Sequence, residues 1–115
     1  MGTPRSSDSW RVVALIFSGR EDPSWPAPPV LVSRAMALWD AAAPAKAVAP
    51  PPLGYRGCAL RSTDGRALVA FDGVLTMTQP GARSESRRDS DRAIERLLLQ
   101  SAPAGAIPPG ALPSL

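Results

Sequence analysis

Apolar positions along this chain change period several times, and each change marks an element. Trp10 to Phe17 is apolar on both alternating faces, with Trp10, Val12, Ala14 and Ile16 on one and Val13, Leu15 and Phe17 on the other. That pattern predicts a strand covered on both sides. Ser18 and Gly19 end it, and Gly19 to Trp25 reads as a loop from its turn residues. Val30 to Ala43 then follows a helical period. Leu31, Ala35, Leu38, Trp39 and Ala42 form one apolar stripe, and the prolines just before it are tolerated in a first helical turn. Pro44 to Pro52 cannot continue a helix and predicts an extended, polyproline-like connector.

Leu53 to Met77 alternates instead. Two half-apolar runs flank Thr63-Asp64-Gly65-Arg66, and Asp-Gly between β-prone runs predicts a hairpin with a type I′ turn. Its first strand, Tyr55 to Ser62, places Tyr55, Gly57 and Ala59 against Arg56, Cys58 and Leu60; its second, Arg66 to Asp72, places Leu68 and Ala70 against Val69 and Phe71. Asp72-Gly73 marks a bulge or a second turn before the strand Val74 to Thr78. Residues 79–89 read as a polar loop. Asp91 to Ser101 reads as a helix capped by Ser90 or Asp89, with Ala93, Ile94, Leu97 and Leu98 turned inward.

These elements predict one α+β domain over residues 10–101, in the order β-α-β-β-α. An antiparallel sheet of three or four strands carries two helices mainly on one face. Residues 1–9 read as a disordered N-terminus, and residues 102–115 as a disordered tail rich in proline and glycine. The first apolar run is too short for a signal or membrane segment, so a soluble cytoplasmic protein with no membrane association is expected.

Composition narrows the chemistry. The chain has no histidine, which removes His-dependent triads, the common zinc sites and the usual neutral-pH general base. Cys58 is its one cysteine, so no intrachain disulfide forms, and a buried inert thiol is the simplest reading. The acidic residues lack calcium-loop or magnesium spacing, and no P-loop, dinucleotide fingerprint or GxSxG occurs. No catalytic residue, metal or cofactor is therefore expected. Thirteen basic residues, all arginine but Lys46, stand against ten acids; the charges are scattered, and the excess of three is too small to name a partner.

The loop at residues 19–25 is the leading site candidate. Trp25 could stack on a planar group while Arg20 pairs with a carboxylate or phosphate; in the plainer reading Trp25 caps the core and Arg20 pairs internally. Tyr55 and Arg56 precede Gly57, where a missing side chain admits a close neighbour, whether ligand or packing partner. By alternation Arg56 and Cys58 share a face. Arg83, Arg87, Arg88, Arg92 and Arg96 form the one basic concentration, largely cancelled by Glu85, Asp89, Asp91 and Glu95.

The segments Phe17 to Arg20 and Pro23 to Trp25 (a GRxxPxW loop), Pro52 to Gly57 (an LGYRG strand) and Ile94 to Leu98 (a late ERxLL helix) carry a resemblance. They resemble small uncharacterised proteins in which such a loop is followed by a proline run, that strand and a late helix. The likeness spans residues 10–100 and implies a shared fold. The expected function is a non-catalytic binding or accessory module that engages a protein or peptide through the 19–25 loop, the 55–57 strand or an exposed sheet edge. The alternatives are a small enzyme or binder of an anionic metabolite using Arg20 and Tyr55, and weak nucleic-acid binding through Arg83–Arg96.

Overall fold

The structure, a computed structural model, describes residues 9–17, 21–51 and 54–112. Its chain order is β1 (Trp10–Ala14), β2 (Ser24–Pro26), α1 (Pro29–Ala41), β3 (Cys58–Ser62), β4 (Ala67–Phe71), β5 (Val74–Thr78), β6 (Glu85–Arg88) and α2 (Ala93–Gln100). The class is α+β. The sheet has six strands in the order β2-β1-β3-β4-β5-β6, all antiparallel, rather than three or four.

Both extra strands sit where loops were expected. β2 is three residues long, too short for any periodicity to register, and pairs Trp25 with Val12. β6 is Glu-Ser-Arg-Arg, polar throughout, and pairs Thr76 with Ser86. Short, proline-flanked or charged strands suit sheet edges, where they discourage pairing with other chains. The edge of β6 is covered further. Arg88 N–H donates to Ala43 O (2.7 Å), Ala45 N–H donates to Ser86 O (3.1 Å), and Pro44 bridges to Arg87. The proline connector thus begins by lining a sheet edge.

The two Asp-Gly turns exchange the expected roles. At Asp64-Gly65 only the glycine has a positive φ, +97°. Gly65 N–H donates to Ser62 O and Ser62 N–H to Arg66 O, the pattern of a three-residue loop closed by a glycine bulge. The Asp64 carboxyl accepts the Arg66 N–H, which, with further help from the Ser62 and Arg66 side chains, holds it below the usual carboxylate range. At Asp72-Gly73 both residues have positive φ, 52° and 80°, and Phe71 faces Val74 across them. That is the two-residue type I′ geometry. Matched strand lengths decide which turn each dipeptide adopts, and the dipeptide alone does not carry them.

One sheet face is the core. Val12, Ala14, Trp25, Cys58, Leu60, Leu68, Ala70, Leu75 and Met77 align across the register and are buried. Leu31, Ala35 and Trp39 of α1 and Ile94 and Leu98 of α2 cover them. Each of the larger aliphatic side chains among them contributes about 1.5–3 kcal/mol. Pro29 starts α1 at a position where its missing N–H is harmless, while Leu38 of the expected stripe is exposed. Two oxygens of buried Asp89 accept the N–H groups of Ile94 (2.8 Å) and Glu95 (3.1 Å), which satisfies donors that the start of α2 leaves open. Residues 102–112 are packed rather than loose. Ala106, Ile107 and Leu112 rest against the core, with turns at Pro103 and Pro108. Their apolar side chains are too sparse for any periodic signal.

Candidate functional site

The residues singled out in sequence separate in space. Arg20 lies outside the described residues. Trp25 is 3% exposed and belongs to the core, where its Nε1–H donates to Ser101 Oγ at 2.8 Å. Its ring is therefore a packing element with no face left for stacking a ligand.

Gly57 sets which face Tyr55 and Arg56 each take. That glycine has φ +111°, and its carbonyl accepts Leu15 N–H at 2.9 Å. A left-handed residue in a strand breaks alternation. Tyr55 consequently turns to the core side with Cys58, and the expectation that Arg56 shares the Cys58 face fails. Arg56 instead donates from Nη2 to Phe17 O (2.5 Å) and lies 3.7 Å from Asp22 Oδ2. Asp22 Oδ1 accepts the N–H groups of Ile16 (2.9 Å) and Phe17 (2.7 Å), so it organises the exit of β1 and places Arg56 at once. The Nε–H of Arg56 is buried with no hydrogen-bond partner.

On the core side, Tyr55 Oη donates to Glu95 Oε2, and Arg92 Nε donates to Glu95 Oε1 at 3.1 Å. Glu95 is fully buried, and Arg92 extends to Asp72 at 3.9 Å. Asp91 and Arg92 are non-glycine residues in left-handed backbone just before α2. Such conformations cost about 1–2 kcal/mol each, which the pairing of Arg92 with Glu95 helps offset. Burial, then the hydrogen bond and negative charge of Glu95, push the Tyr55 hydroxyl well above its ordinary pKa. Burial, then the same charge, push the Cys58 thiol up as well. Glu95 looked like a surface acid, because only apolar residues were assigned to the inward face of α2; its place in ERxLL was the one available hint.

Cys58 is thus a protonated thiol sealed in the core, unsuited to nucleophilic work. Alkylation of the native protein near pH 8 should be orders of magnitude slower than in urea. A raised folded pKa also means that stability is fully present below the unfolded thiol's pKa of about 8.5 and falls as pH rises beyond it. Urea midpoints measured from pH 7 to 10 should therefore hold and then decline. A native thiol that labels as fast as the unfolded one would contradict this burial.

The best-formed candidate site is on the sheet's other face, which neither helix covers. Val13, Ala59, Val69 and Thr76 lie in register across four strands, with Phe71 and Val74 in the next row. After lining the β6 edge, the connector brings Ala47, Val48 and Pro50 over this face. Between connector and sheet is a cleft of about 390 Å³, with Val69, Phe71 and Val74 on its floor, Ser84 and Ser86 among its polar lining, and Arg56 contributing to its wall. The sequence held both parts, as an alternation and as a proline run, but not their juxtaposition.

Two of the five arginines of the basic concentration are engaged. Arg87 lies 4.2 Å from the Trp39 ring centre, donates to Trp39 O and pairs with Glu85, while Arg92 is held by Glu95. Among the described residues, no group of three or more His, Cys, Asp or Glu side chains is placed to hold a metal ion. No helix among them is long and apolar enough to cross a membrane.

A comparison with known proteins finds no family, no curated protein and no solved structure that matches this chain.

Proposed function

We propose that this protein is a non-catalytic, cytoplasmic binding module that engages a protein or peptide segment on its open sheet face, under the proline connector. The observation that supports this reading is the cleft. A half-buried apolar strip is left uncovered by the helices and walled by residues 47–50, with Arg56 contributing to the wall. The preferred surface is accordingly the sheet face rather than the 19–25 loop, whose tryptophan is committed to the core. The sheet edges are less suited to strand addition, since β2 is short and proline-bounded and β6 is lined by residues 43–45. The lack of histidine and the sealed thiol support the non-catalytic half of the proposal.

A small anionic ligand is the second reading, favoured by the Arg56 side chain in the cleft wall and by a volume within the range of small-molecule sites, roughly 300–1,000 Å³. Nucleic-acid binding is weaker, with Arg87 and Arg92 committed internally. Selection from a displayed library of random dodecapeptides tests the first reading. The wild-type chain should enrich a consensus with an apolar anchor, and Val69→Glu should abolish enrichment while leaving the far-UV spectrum and cooperative melting intact. Enrichment that survives Val69→Glu, or no enrichment at all, would count against the sheet-face site.

A further inference from the structure

The same open face carries a second feature. Arg11 of β1 and Arg61 of β3 stand directly opposite each other in the register, on the face that holds Val13, Ala59 and Val69. Both are exposed. Neither has a carboxylate partner among the described residues, whereas Arg56, Arg66, Arg87 and Arg92 each pair with an acid. Arg11 is held in place by Ser24 of β2, which accepts from its Nη2 at 3.0 Å and its Nε at 3.3 Å. Arg61 makes no such bond.

Like charges directly opposite on adjacent strands work against the sheet. Here the repulsion is confined to one cross-strand pair, and it concentrates two unneutralised guanidinium groups beside the apolar strip. Arg61 faces Ala67, so it is the diagonal neighbour of Val69, roughly 7–8 Å away, and Val69 lines the floor of the cleft. An extended peptide advances about 3.3 Å per residue. A segment with an apolar side chain in the cleft therefore brings a residue two to four positions away over the arginine pair. Guanidinium forks match carboxylates in geometry as well as charge.

We infer that Arg11 and Arg61 form an anion-recognition site for the partner, and that the partner is an acidic peptide segment with a carboxylate two to four residues from its apolar anchor. This rests on the peptide-binding reading above and adds the chemistry of the partner. Arg56 lies at the cleft with Asp22 beside it, and Arg88, opposite Val74, is a single exposed arginine without an acid partner among the described residues; two unneutralised guanidinium groups face each other across the register at the Arg11–Arg61 end.

Two fluorescent decapeptides test it, each with the same central leucine-valine pair, flanked by glutamates in one and by glutamines in the other. In low salt, the wild-type chain should bind the glutamate peptide at least about five-fold more tightly, and added salt should erase the difference. Arg61→Glu should remove the preference while its Tm stays level or rises, because the new carboxylate faces Arg11. A variant that loses the preference and keeps its Tm has lost recognition rather than folding. Equal binding of both peptides by the wild type, or a preference that survives Arg61→Glu, overturns the inference and leaves the cleft reading in place. Binding of neither peptide overturns both. A DNA duplex that displaces the glutamate peptide at equal charge concentration overturns the assignment to a peptide.

Discussion

Replacing Glu95 by alanine is expected to destabilise the fold by about 2–4 kcal/mol, from a phenol that loses its acceptor and a cavity left in the core. Glu95 is fully buried and accepts from Tyr55 Oη and Arg92 Nε. The alanine variant would leave the half-buried Tyr55 phenol without an acceptor and Arg92 without its charge partner, beside a cavity. For a domain of this size, whose whole stability is of order 5–15 kcal/mol, that is a large fraction. The network's cooperative character yields a sharper result. Removing both polar members together, as Tyr55→Phe with Glu95→Leu, should cost much less than the sum of the single changes, because no buried polar group is then orphaned and Arg92 is exposed enough to rehydrate. Urea denaturation of the four members of this cycle measures the coupling. Additive single and double effects would show that Tyr55 and Glu95 do not depend on each other.

Gly57→Ala should be as damaging, at about 3 kcal/mol. A side chain at φ +111° is strained, by roughly 1–2 kcal/mol. The new Cβ would also sit 2.6 Å from Ala70 O and 2.9 Å from Phe71 Cβ. The first of these is backbone within a paired strand, so it has little freedom to move, and overpacking adds about 1–3 kcal/mol. Gly54 makes the natural control. Its φ is +81°, yet a Cβ there meets nothing within 4 Å, so Gly54→Ala should carry the backbone strain alone and fall well short of Gly57→Ala. The difference in urea midpoint between the two variants isolates the close approach. Equal losses would mean that the contact with β4 carries no weight. Gly57 also sets the faces that Tyr55 and Arg56 take, so its substitution bears on the cleft as well as on the core network.

Legibility of the fold followed side-chain period. β1, β4, β5 and both helices were read from apolar spacing, because a buried stripe or alternation is a direct imprint of packing. β2 and β6 left no such imprint: one is too short and the other is built of polar side chains that make only edge contacts. Alternation across Tyr55 to Ser62 held from Cys58 onward and failed at Gly57, where backbone conformation rather than hydrophobicity decides the face. The site suffered from the same limits. Trp25 reads equally well as ligand platform and core residue, since an indole serves either, and only its burial separates the two. Val69, Phe71 and Val74 were legible as one face of a hairpin, but the arrival of Val48 and Pro50 above them is a long-range fact with no local signature. The opposition of Arg11 and Arg61 is likewise a matter of register, which two distant segments do not reveal separately.

Backbone amide shifts of the ¹⁵N-labelled protein, titrated with the glutamate-flanked decapeptide, test the central claim most directly. The account predicts that the perturbed amides cluster on Val13, Arg61, Val69, Phe71, Val74 and residues 47–50, and leave the exposed surfaces of α1 and α2 unmoved. Perturbations centred on the helices, or a saturating peptide that moves no amide of the open sheet face, would contradict it.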